Sequence, residues 1–106
     1  MDRRKIKKPK EKRAVIFGMN PSEALQALET LARALEVEVR TEKGEFQSGL
    51  CHVHGKNVLF LRRDDTTDKK IDVLARELAT FNLDQLYIVP AIRQLLEQSK
   101  LQNQSI

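Results

Sequence analysis

One cysteine, Cys51, stands among 106 residues, so no disulfide can close within the chain. A lone thiol is compatible with a reducing compartment, and the cytoplasm is the expected location. Tryptophan is absent, and one tyrosine with four phenylalanines makes up the aromatic complement. None of these rings interleaves with a basic patch, which argues against a stacking platform for single-stranded nucleic acid. No apolar run approaches the roughly 20 residues of a membrane helix, so no membrane partner is expected. The N-terminus is basic but lacks the apolar stretch that a signal peptide carries behind its charges. Neither a glycine-rich phosphate loop nor a serine elbow occurs.

What is present is an uneven charge. The formal net charge is +4, yet residues 1–13, MDRRKIKKPKEKR, carry eight Lys/Arg against Asp2 and Glu11. That segment is therefore +6, and residues 14–106 are left at −2. Its only aliphatic side chain is Ile6, with Pro9 beside it, too little apolar surface to offset the entropy of ordering it. Disorder in isolation is the expectation for 1–13. Two readings of the segment stay open: a solubilising extension, or an electrostatic dock for RNA or DNA through Arg3, Arg4, Lys5, Lys7, Lys8, Lys10, Lys12 and Arg13. Base-specific readout does not follow from charge alone.

The rest of the chain is organised around Glu45–Arg63, EFQSGLCHVHGKNVLFLRR. Two apolar runs flank His54-Gly55-Lys56-Asn57, a tight-turn sequence with a glycine free to take positive φ, and together they predict a β-hairpin. On the first arm Phe46, Ser48, Leu50, His52 and His54 alternate with Gln47, Gly49, Cys51 and Val53. The second arm, Val58-Leu59-Phe60-Leu61, is apolar on both faces, as a central strand is. Upstream, Asn20-Pro21-Ser22-Glu23 reads as an N-cap, a proline at the first helical position and a capping-box glutamate. A first helix is predicted from Pro21 to Leu35, with Leu25, Leu28, Leu31, Ala32 and Leu35 on its apolar face. Val37 and Val39 alternate with charges as a half-buried strand does. After the polar break Asp64–Asp68, Ile71, Leu74, Ala75, Leu78 and Phe81 repeat at helical spacing, and Pro90 opens a last helix carrying Ile92, Leu95 and Leu96.

The expected fold is α+β: helix, three-stranded antiparallel meander (36–41, 45–54, 57–62), helix, helix. One domain is expected over 14–99, with a frayed end over 100–106. The expected core is Leu25, Leu28, Leu35, Val37, Val39, Leu50, Val58, Phe60, Ile71, Leu74, Leu78, Ile92 and Leu96.

Three clusters bear on chemistry. His52 and His54 share a strand face and are the weak candidates for a metal, but Cys51 points away and no other histidine or cysteine exists to complete a site. No metal and no cofactor are expected, and Cys51 reads as a small buried hydrophobe. Leu74-Ala75-Arg76-Glu77-Leu78 follows a strand and a hairpin, and in this order resembles the core of small zincin-like metallopeptidases, whose helix reads LAHELGH. The resemblance covers about residues 21–81 and implies an inactive relative, because Arg76 and Thr80 stand at the two zinc-histidine positions and Glu77 alone remains of the motif. In size and element order the chain also resembles small bacterial α+β proteins, which carries no function. Arg62-Arg63 beside Asp64-Asp65 admits a phosphate clamp beside an acidic metal site or, more simply, a solvated loop ahead of a helix.

The function expected from these features is a non-enzymatic binding module with a nucleic-acid or protein partner. The alternative is an enzyme, or an inactive relative of one, with a site around His52, His54 and Glu77.

Overall fold

The computed structural model describes the backbone of residues 18–104 and the side chains of 18–101. Helix α1 spans Pro21–Ala34, strands β1, β2 and β3 span Val37–Glu42, Gly49–Val53 and Lys56–Arg62, and helices α2 and α3 span Thr67–Leu78 and Pro90–Gln104.

Helix α1 begins where its capping residues place it. Asn20 Oδ1 accepts the Glu23 backbone N–H at 2.9 Å, and Glu23 Oε1 accepts the Asn20 N–H at 3.2 Å, so two otherwise unpaired donors are satisfied reciprocally. Ala24, Leu28, Leu31 and Ala32 form its buried stripe. The helix ends at Leu35, and Glu36 turns into the left-handed region at φ 62° to start β1. Helix α2 is capped by Thr66, whose Oγ1 accepts the Lys69 N–H at 3.2 Å. Five of its residues are buried: Ile71, Val73, Leu74, Ala75 and Leu78. It is the hub of the fold, packing against α1, α3, β2 and β3.

The sheet corrects the expected meander. Its strand order is β1-β3-β2, with β1 parallel to β3 and β2 antiparallel to β3. The predicted hairpin is present as β2 and β3, closed by His54 at φ 52° and Gly55 at φ 79°, the two successive positive φ values of a type I′ turn. A meander, however, would leave β3 at an edge, and β3 is the strand that cannot stand there. Leu59 and Leu61 are fully buried on one face, Val58 is buried on the other, and Phe60 is half-buried beside it. Strand β1 therefore adds to the free side of β3, pairing Val37 with Asn57 through Glu42 with Arg62. Residues 43–48 carry the chain past the carboxyl end of β3 to the opposite edge. These residues are outside any strand, so the long first arm expected from residue 45 begins only at Gly49.

The helices cover the sheet face that bears Val37, Leu59 and Leu61, with Val39 and Leu50 half-buried against the same cluster. Each fully buried leucine here contributes about 1.5–3 kcal/mol relative to exposure. On the opposite face Phe60 meets Phe46 edge-on, with ring centroids 6.4 Å apart, and Arg40 lies 6.0 Å over the Phe60 ring. No helix among the described residues is long and apolar enough to cross a membrane.

Candidate functional site at the carboxyl ends of the parallel strands

The crossing loop and the turn after β3 meet at one end of the sheet. Ser48 ties them together. Its oxygen accepts the Arg62 backbone N–H at 3.2 Å, and its hydroxyl donates to Asp65 Oδ2 at 3.1 Å. The Asp65 N–H in turn donates to the Arg62 carbonyl at 3.1 Å, and the Arg63 N–H to the Glu42 carbonyl at 2.8 Å, which extends the β1–β3 ladder. A depression of about 400 Å³ opens beside this knot, lined by Glu45, Phe46, Gln47, Ser48, Arg62, Asp65 and Lys69. It lies outside the carboxyl ends of two parallel strands, where open α/β sheets hold their ligands.

Arg62 is the unusual member. Its side chain is half-buried, and its Nε is buried with no hydrogen-bond partner. A buried donor left unpaired costs about 1–3 kcal/mol, which a ligand bringing an acceptor into reach would relieve. Among the described residues neither Arg62 nor Lys69 forms an ion pair with Glu45 or Asp65, whereas Arg40 on β1 pairs with Glu38 at 2.8 Å.

The residues singled out in the sequence fall unevenly with respect to this site. Of the Arg62–Asp65 cluster, Arg62 and Asp65 line the depression, while Arg63 and Asp64 are exposed. Cys51, expected to be buried, is instead exposed, because on the edge strand β2 it pairs with Val58 on the face that the helices leave uncovered. His52 and His54 are exposed on and beside the same strand. Glu77 is half-buried on α2, where a Cβ placed on Gly49 would come 3.7 Å from its Oε2, so it sits against the start of β2. Among the described residues no group of three or more His, Cys, Asp or Glu side chains is placed to hold a metal ion. The eight basic residues of 1–13 lie outside the described residues. Ser48 and Lys69 have no signal in the sequence beyond their polarity, and only the strand crossing brings them to Arg62.

A second concavity, of about 260 Å³, is apolar. It lies between α1 and the stretch leading into α3, and its lining includes Ala27, Thr30, Leu31, Leu86, Tyr87 and Ile92. Tyr87 stands 84% exposed at its rim.

No protein-family model matches this chain, and neither a curated protein nor a solved structure matches it significantly. The likeness to zincin-like metallopeptidases thus rests on the residues quoted for it and nothing further.

Proposed function

We propose that this protein is a non-enzymatic binding module that docks on nucleic acid through its basic N-terminal segment. The observation that carries the reading is the segregation of charge: +6 in residues 1–13 and −2 in the remainder. A folded part that is slightly acidic repels a polyanion, so any attraction must come from the eight cations gathered at one end. Neutralising phosphates releases condensed counterions, which gives affinity without sequence preference. The cytoplasm, expected from the lone cysteine, belongs to the same proposal.

Fluorescence anisotropy with labelled RNA and duplex DNA tests it, comparing the full chain with a chain beginning at Ala14. The full chain should bind weakly, with little sequence preference. Log affinity should fall linearly with log salt, by about 0.9 for each phosphate neutralised on duplex DNA. The shortened chain should lose this binding. Equal affinity in both forms would move the site onto the folded domain, and no binding by either would leave a protein partner as the better search.

A further inference from the structure

We propose that the depression between the crossing loop and the start of α2 is a binding site for a free α-amino acid, held as its zwitterion against an apolar wall. Four ionisable side chains border the space, and they divide evenly by sign: Arg62 and Lys69 against Glu45 and Asp65. Among the described residues no member of one pair is within ion-pairing distance of a member of the other. Opposite charges around one cavity that do not neutralise each other leave both signs available to whatever enters.

Two of the four are positioned rather than merely present. The Ser48 hydroxyl holds Asp65 through Oδ2, which fixes the carboxylate and leaves Oδ1 to accept from a ligand. Arg62 is anchored by its backbone N–H on the same serine and carries a buried guanidinium nitrogen without an acceptor. A ligand with a carboxylate for the guanidinium and an ammonium for Asp65 answers both needs at once. The summed charge of the lining is zero, so a phosphate dianion would gain from two cations what it loses to two carboxylates. A simple cation meets the same balance. A zwitterion does not, because each of its charges has its own partner.

The half-buried Phe46 ring supplies the apolar wall, favouring an aliphatic or aromatic ligand side chain. The volume, about 400 Å³, lies in the range of small-molecule sites. The site is argued from Glu45, Phe46, Ser48, Arg62, Asp65 and Lys69 alone, so its test is separate from that of nucleic-acid binding.

The test titrates the full chain with L-phenylalanine and L-leucine, followed by calorimetry and by amide chemical shifts. At least one should saturate, with shifts centred on Ser48, Arg62 and Asp65. N-acetyl-phenylalanine lacks the ammonium, and phenylalanine amide lacks the carboxylate. Each should bind about tenfold more weakly or worse, as expected for loss of one charged hydrogen bond. Lys69→Gln, at an exposed position, and Arg62→Gln, checked for folding by circular dichroism, should each weaken binding severalfold. Three results overturn the proposal: no saturation at about 10 mM ligand, beyond the weak millimolar range; N-acetyl-phenylalanine binding as tightly as phenylalanine; or shifts centred on another surface.

Discussion

Ser48 and Asp65, 17 residues apart, are joined by a single hydrogen bond of 3.1 Å, and through it the crossing loop is fastened to the turn ahead of α2. The same hydroxyl oxygen serves the Arg62 N–H. Ser48→Ala removes both contacts and leaves a partly buried backbone donor unmet, so it should cost about 1–3 kcal/mol in urea unfolding. A loss below roughly 0.5 kcal/mol, the scale of an ordinary surface change, would show that water replaces the hydroxyl without cost.

Leu74 is fully buried at the centre of α2, and Arg76, two residues on, is exposed. Leu74→Ala should destabilise by about 2–5 kcal/mol, the transfer loss plus the cavity it leaves. Arg76→Ala should stay within about 0.5 kcal/mol. Equal losses at the two positions would contradict the packing of α2.

Among the described residues two other than glycine hold positive φ, Glu36 at 62° and His54 at 52°. Both are exposed, so neither conformation is rewarded by side-chain burial. The left-handed region costs an ordinary residue about 1–2 kcal/mol, and glycine returns part of this through its unfolded-state entropy. Glu36→Gly should therefore raise stability by up to about 1 kcal/mol. Gly55→Ala, at φ 79°, should lower it by about the same amount. Thermal unfolding of the two variants should move in opposite directions.

The hydrogen bond from Arg40 Nε holds the Glu38 carboxyl below the usual carboxylate range, assisted by the charges of Arg40 and Lys56. A carboxyl whose folded pKa is depressed adds stability above its unfolded pKa and loses it as pH falls through the folded one. The pair should thus contribute at neutral pH and stop contributing in acid. Its effect is small, since the two side chains are 47% and 50% exposed. Carbon-detected titration of Glu38 should give a midpoint that rises towards the ordinary value in Arg40→Gln, and an unchanged midpoint would mean the contact is not populated in solution.

Local signals in the sequence were legible wherever one segment decides the outcome. Asn20, Pro21 and Glu23 state the start of α1 among themselves, and the apolar runs around His54-Gly55 state the hairpin. The strand order is not local. Val58 and Phe60 on one face and Leu59 and Leu61 on the other mark β3 as the middle strand, a property an unbroken meander cannot grant to its last member. The expected meander follows from sequential pairing, the commoner connection, and the observed order instead places β1 on the far side of β3. The candidate site was half visible. Arg62 and Asp65 belong to one charged cluster in the sequence, whereas Ser48 enters only because residues 43–48 cross the end of β3. Strand alternation puts Phe46 on the face of Leu50, but with no strand before Gly49 its ring instead reaches Phe60 on the opposite face.

The parallel pairing of β1 with β3 also bears on the order in which the chain can mature during synthesis. β1 leaves the ribosome before any partner for it exists: Val37 must wait for Asn57, and Glu42 for Arg62. β2 and β3, by contrast, close across a two-residue turn, at far smaller cost in chain entropy. Until β3 emerges, the nascent protein presents α1 with an unpaired extended segment behind it, whose charged Glu38, Arg40 and Glu42 discourage pairing with a neighbouring chain. The alternation that makes β1 a modest strand in the finished sheet thereby makes it a safe one while it waits.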